Sequence, residues 1–382
     1  MMTIEISITD DISIYSNEYH MIEELIVYME KNSYQLPQNF IFLQNLKDLT
    51  LYDYEFTYFQ EDISYLLELE NLSLYNIAPK CRLPKNLTEI KNLKTLVLSE
   101  FNFEHLPKEL AQIPSLTRLF IDINPNNFNN ILSELPVLHN IIDLSLSCYD
   151  FDYDDKLDIP ESFTQMENLE VLNLGGLDRL TSLPDRIDRL KKLRKLIISD
   201  AEVFEQGREV AIKSLPESLC ELNNLETIDI SACRNLTKLP ENFSQLSTLK
   251  YLNIFNSGIT NIQLTDEQLN NLEMLWMQGT LPDLEKAKHL KNFAWRKSYR
   301  NANSKNASEA DLVALLPNVH SIETLQLIGG DYDNLDFIFN MPNLKNVRLF
   351  CRPSQMPSAA RLIEHGITIT DCLVEDGADV LC

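Results

Sequence analysis

Along most of the chain, apolar residues recur in one short phrase and not in a continuous helical or alternating pattern. The segment Leu93-Lys-Thr-Leu96-Val-Leu98 has the form LxxLxL, and the same phrase begins at Leu46, Leu69, Leu93, Leu116, Ile141, Leu169, Leu193, Leu225, Leu249, Leu272, Leu290, Ile322 and Leu344. Successive starts lie 23, 24, 23, 25, 28, 24, 32, 24, 23, 18, 32 and 22 residues apart. A recurrence of that length marks supersecondary units that cannot bury their own apolar face and must stack. Within each phrase the period-2 leucines predict a short strand with one face turned inward. Leu-Pro pairs precede several copies, at Leu83-Pro84, Leu106-Pro107, Leu183-Pro184, Leu215-Pro216 and Leu239-Pro240. Proline fixes φ and cannot donate to a ladder, so each pair predicts the entry to a return path that begins as a 3-10 or first helical turn.

The full frame, LPxxLxxLxxLxxLxL, is met by Leu183-Pro184, Ile187, Leu190, Leu193, Leu196 and Ile198. It resembles the leucine-rich repeat family, and in particular the short LP-containing class of bacterial, plant Ras-group and SHOC-like proteins. The resemblance covers roughly residues 36 to 354. It implies an α/β solenoid of about 13 repeats: a curved horseshoe with parallel strands on the concave face and short 3-10, helical or irregular segments on the convex side. Thirteen strands at about 4.8 Å spacing give an inner arc of roughly 58 Å, long enough for a protein domain. One departure concerns the asparagine that often follows the strand. The equivalent positions hold Tyr54, Ile77, Phe101, Tyr149, Leu177 and Ala201, with Asn124 an exception. A ladder of side-chain amides is therefore expected to be mostly absent, and the turns to be held by other contacts.

A stack of repeats needs polar caps. The expected division is an N-terminal cap at 1–35, repeats at 36–354, and a C-terminal cap and tail at 355–382. Ile22, Leu25, Ile26 and Met29 at i, i+3, i+4 and i+7 predict an amphipathic helix over residues 18–31. At the other end, Ala359 to His365 is expected to be helical, stopped by Gly366, with a last strand at Ile367-Thr368-Ile369.

Composition narrows the function. Apolar residues make up 44% and charged residues 24% of 382, which excludes a disordered or low-complexity chain. A net charge of −24 disfavours nucleic acid and anionic lipid as partners. Seven dispersed cysteines lack CxxC spacing and read as free thiols, and the first twenty residues lack a signal-peptide pattern. The expectation is a cytoplasmic monomer in a reducing compartment. Phosphate-binding, zinc-protease and nucleophile-elbow motifs are missing, so neither a catalytic residue nor a cofactor is assigned.

Repeats tend to place irregularities in loops that meet partners. The 32-residue step before Leu225 carries an insert near 201–213, and the 18-residue step before Leu290 is too short for a full return path. Between Glu285 and Lys305 seven basic residues, Arg296 and Lys297 among them, reverse the local charge. The 28-residue step holds Asp150, Asp152, Asp154 and Glu161 at loop positions 1, 3, 5 and 12, the spacing of an EF-hand calcium loop. Position 6 is Asp155 where the sharp turn needs glycine, and a strand precedes it, so an acidic surface loop is the preferred reading.

Frame offsets +2, +4 and +6 face away from the buried leucines. There Tyr251, Phe255, Met274 and Trp276 fall on adjacent strands and form the candidate partner-binding tract, with Phe120 on an earlier strand and Arg296 and Lys297 as flanking cations. Carboxylates gather toward the first two-thirds of the chain and cations toward its end. The function expected is a non-catalytic scaffold that holds a protein partner on its concave face. The alternatives are a bacterial effector or an inhibitor-like regulator of an enzyme.

Overall fold

The computed structural model describes residues 2–7, 17–28, 38–52, 63–75, 83, 86–101, 103–148, 156–177, 179–199, 211–296, 309–328, 335–351 and 356–374. They fall into two compact units, Met1–Leu177 with Arg189–Leu193 and Asp178–Asp188 with Arg194–Cys382. The first unit carries eight parallel strands in chain order: β1 (Met2–Ser7), β2 (Ile22–Tyr28), β3 (Asp48–Tyr52), β4 (Asn71–Leu74), β5 (Thr95–Phe101), β6 (Arg118–Ile123), β7 (Asp143–Cys148) and β8 (Val171–Asn173). The second carries β9 (Lys195–Ile197), β10 (Thr227–Asp229), β11 (Tyr251–Asn253), β12 (Met274–Gln278), β13 (Asn292–Arg296), β14 (Thr324–Ile328), β15 (Asn346–Cys351) and β16 (Thr368–Val374), likewise parallel and sequential.

The leucine frame explains this order. Pairing matches one frame position to the same position of the next copy, as in Leu49↔Leu72, Leu72↔Leu96, Leu96↔Leu119 and Leu119↔Leu144. Slipping by one residue would turn every leucine outward, so the buried face fixes the register. From Leu49 and Leu51 on β3 to Val347 and Leu349 on β15, no inward residue at offsets +3 and +5 of the frame is more than 2% exposed. Where the frame substitutes Phe293 and Trp295, the larger rings are buried too, and the Trp295 indole donates to the Gly279 carbonyl at 3.1 Å.

Return paths are short. In the expected way Pro107 and Pro216 immediately precede 3-10 segments, Lys108–Gln112 and Glu217–Glu221, and their carbonyls accept from Leu110 and Leu219 at 3.1 Å. Three steps hold short helices instead, α1 (Phe128–Glu134), α2 (Asp266–Asn271) and α3 (Glu309–Leu315). The 18-residue step is compressed to a three-residue 3-10 turn, Leu284–Lys286.

The N-terminal region differs from the expectation of a helix over 18–31. Residues 22–28 are strand β2, paired with β1 on one side and β3 on the other. Ile22-x-x-Leu25-x-Val27 is itself a copy of LxxLxL, and its three apolar residues are fully buried. The i, i+3 spacing belongs to both patterns, and stacking against a neighbouring strand decides for extension. Met29 lies outside the described residues. At the other end α4 (Met356–Glu364) is followed by Gly366 at φ +81° and then β16, as the sequence predicts. Residues 200–210 of the insert lie outside the described region.

Candidate functional site

The outward rows of the second unit bring four of the predicted residues onto three consecutive strands and a fifth, Phe255, just beyond the first of them. Tyr251 on β11 pairs with Met274 on β12, and Trp276 of β12 lies between Asn253 and Ala294. Phe255 follows β11, and its backbone is pinned: its N–H donates to Asn253 Oδ1 at 3.0 Å and its carbonyl accepts from Ala232 N–H at 2.9 Å. All four tract side chains are half-buried. Tyr251 is further oriented by its hydroxyl, which donates to Glu273 Oε2 at 3.3 Å. Burial first, and then the Glu273 carboxylate, hold that phenol above its ordinary value. Arg296 on β13 reaches back to the loop after β11, its Nη1 donating to Asn256 Oδ1 at 2.9 Å. Phe120 stands on β6 of the first unit, between Val97 and Ser145. Lys297 is outside the described residues.

The two units differ in the charge of this face. In the first, Glu5, Glu24, Asp48, Asp122 and Asp143 stand against Arg118; in the second, Asp229 stands against Lys195, Arg296 and Arg348. Among the described residues the shift from acid to base along the chain is the one expected from sequence.

Three ladders hold these strands, and sequence reasoning missed each. The first is an amide ladder, displaced from the position where it was sought. Asn45, Asn92, Asn140, Asn168, Asn271 and Asn343, each immediately before a frame leucine, donate from Nδ2 to the carbonyls of His20, Leu67, Pro114, His139, Ser247 and His320 in the preceding coil at 2.7–3.3 Å. The signal was the recurrent Asn-Leu or Asn-Ile pair opening the phrase.

The second ladder alternates charge one residue after that leucine. Lys47 binds Glu23 at 3.0 Å, Lys94 binds Glu70 at 2.7 Å, Glu226 is bridged by Arg194 at 3.2 Å and Lys250 at 3.4 Å, and Lys345 binds Glu323 at 2.7 Å. The third closes strand exits. Asn173, Asp229 and Asn253 at offset +4 accept the backbone N–H two residues on, from Gly175, Ser231 and Phe255, at 2.9–3.0 Å. At the offset where asparagine is usual, the second unit uses Cys233, whose thiol donates to the Ile198 carbonyl at 3.5 Å, and Ser257, whose hydroxyl donates to the Ile254 carbonyl at 2.7 Å.

Other candidate chemistry is sparse. Asp150, Asp152 and Asp154 of the calcium-like loop lie outside the described residues; Glu161 opens the 3-10 segment Glu161–Gln165, its carbonyl accepting from Thr164. Among the described residues no group of three His, Cys, Asp or Glu side chains could hold a metal ion. A cleft of about 460 Å³ runs along the charge ladder, lined by Glu226, Lys250, Glu273, His289 and Lys291. Its alternating signs leave no concentrated field for one ligand charge. Cys148, Cys220 and Cys233 form no disulfide, and burial pushes the Cys220 thiol up to about 12, far from a reactive thiolate.

Comparison with known proteins agrees with this geometry. A family model described as a leucine-rich repeat region matches residues 207–366. A probable disease resistance protein of Arabidopsis thaliana is 32% identical over 138 residues, covering 33% of this chain and 8% of that protein. The curated relatives that head the matches are far longer, and the chain spans between 8% and 11% of their length. Among solved structures, a leucine-rich repeat protein of Leptospira interrogans superimposes with a TM-score of 0.53 at 21% identity, over 96% of this chain and 100% of that one. An internalin of Listeria monocytogenes gives 0.50 at 16% identity, over 87% and 88%. A matched repeat model over residues 207–366, a leucine frame that continues through both units, and solved neighbours sharing the fold along most of the chain show that this chain is built from leucine-rich repeats.

Proposed function

We infer that the protein is a non-catalytic interaction module that holds a partner protein on its exposed sheet face, with Tyr251, Phe255, Met274 and Trp276 as anchors. The observation that carries this is the tract itself. Tyr251, Met274 and Trp276 stand on two adjacent strands and Phe255 just beyond the first of them, with the Tyr251 hydroxyl and the Phe255 backbone fixed by hydrogen bonds. Aromatic residues on a rigid support lose little entropy on binding and are enriched among interface hot spots. Arg296 beside the tract supplies a directional cation. The net charge of −24 argues for protein over nucleic acid, and the dispersed cysteines fit a cytoplasmic setting.

Affinity capture with the purified protein, followed by quantitative binding of the recovered partner, tests the placement. Removing an anchor typically costs 2 kcal/mol or more, so Trp276→Ala and Phe255→Ala should each weaken binding by about 30-fold without changing the thermal melt. Partners retained equally by both variants would move the site elsewhere.

A further inference from the structure

We propose that the exposed sheet face of the first unit is a separate docking surface, shaped for an extended lysine- and arginine-rich segment of a partner protein. Its core is an aromatic file at offset +6. Tyr28 on β2, Tyr52 on β3 and Tyr75 just after β4 stack at centroid distances of 5.1 and 4.7 Å with interplanar angles of 10° and 16°. Tyr28 is 41% exposed. Stacking commits the inner faces of the rings to one another and leaves their edges, and the outer face at the end of the file, for a ligand.

The file runs directly into carboxylates. Continuing across the strands, offset +6 reads Ser99, Asp122 and Ser147. Asp122 takes its hydrogen bonds from neutral donors, the Ser147 hydroxyl at 3.1 Å and the Glu100 N–H at 3.4 Å. Burial first, and the neighbouring Glu100 carboxylate as well, push its carboxyl above the usual range, so a cation placed there would relieve a real repulsion. At offset +2, Glu24 accepts from Thr3 and Asp48 from Asn71, again neutral donors, and Asp143 extends the row. Glu5 borders Tyr28. Among the described residues of these rows Arg118 is the one cation.

Charge decides the occupant. A face with five carboxylates and one arginine repels phosphate backbones and acidic segments, while arginine both pairs with carboxylates and packs on phenol rings. From Tyr28 on β2 to Asp122 on β6 is four strand steps, about 19 Å, which an extended segment of about six residues would cover. Apolar stems would lie along the tyrosine edges, with charged ends reaching the carboxylates on either side. The proposal shares with the one above the premise that sheet faces are docking surfaces, but it uses other strands and other chemistry.

The test is a fluorescence anisotropy titration of a labelled peptide of alternating arginine and serine, against a matched glutamate–serine peptide. The combined variant Glu24→Gln, Asp48→Asn, Asp122→Asn should weaken the arginine peptide at least about tenfold. A control removing the same charge from exposed return paths, Glu89→Gln, Glu109→Gln, Glu167→Gln, should stay within about twofold. If the triple variant does not fold, the exposed Tyr28→Ala decides, with a loss of about fivefold expected. Equal loss in face and control variants, or an unchanged Tyr28→Ala, overturns the proposal, because binding would then follow net charge alone. Trp276→Ala should leave this titration untouched; a loss there would transfer the site to the second unit. Conversely, a captured partner indifferent to Trp276→Ala would remove the anchor tract and leave this face standing.

Discussion

At the scale of single residues, the point of greatest constraint lies seven places after the frame leucine, where the strand turns away. That position takes a left-handed backbone at Glu100, Gly176, Ala232, Asn256 and Gly279, with φ of 56°, 87°, 60°, 60° and 85°. Asparagine and glycine fit this region; glutamate and alanine carry strain there. Gly279 has a second reason to be glycine, since a Cβ would collide with the Thr260 carbonyl oxygen. That carbonyl cannot retreat, because it accepts from the Thr280 N–H at 2.9 Å and the Thr280 hydroxyl at 3.2 Å. Gly366 offers the contrast of φ +81° with open space around the added carbon. Gly279→Ala should therefore cost about 3 kcal/mol in chemical denaturation, and Gly366→Ala about 1 kcal/mol, the difference measuring the collision apart from the backbone strain. Equal losses would mean that the Thr260 turn yields.

Elements are held in register by contacts that a hydrophobic reading cannot see. Leucines say which face is buried, but amide and charge ladders lie at offsets −1 and +1, where composition looks like ordinary solvated surface. Asn45 or Lys94 taken alone carries no signal; each acquires meaning when the repeat places a carbonyl or a glutamate of the preceding coil against it. The same limitation hid β2. Ile22 and Leu25 satisfy a helical spacing, and a helix there would take Tyr28 out of the strand rows and separate it from Tyr52 and Tyr75. The charge ladder has a testable pH signature. The Lys94 hydrogen bond holds the Glu70 carboxyl below its ordinary value of 4.5, and Lys345 does the same for Glu323. A carboxyl lowered by folding stabilises the fold above its unfolded value, and that contribution is lost as pH falls through the lower folded value. Lys94→Met should accordingly melt below wild type at neutral pH, with the small gap closing as the pH falls well below the ordinary carboxylate value and in about 1 M salt. A gap that persists in acid would assign the lysine's effect to packing of its stem.

For the molecule as a whole, the sequence was most informative where one physical requirement repeats. All thirteen predicted copies of the frame are strands, β3 to β15, because each copy poses the same burial problem and neighbours solve it in the same way. Legibility fell at the first strands, where short elements lean on neighbours that a local pattern does not reveal, and in the outward rows, where function depends on which strands adjoin. Stacking also governs how damage should spread. Leu119 on β6 is fully buried between Leu96 and Leu144 of the adjoining strands, so Leu119→Ala should cost about 3 kcal/mol. In a linear array each coil contacts its neighbours alone, and stability is a sum of local and interface contributions. Native-state hydrogen exchange should then accelerate by about a hundredfold in β5, β6 and β7 and progressively less toward β1 and β2. Uniform acceleration from β1 to β8 would show the first unit opening as a single cooperative body, with coupling that reaches well beyond adjacent coils.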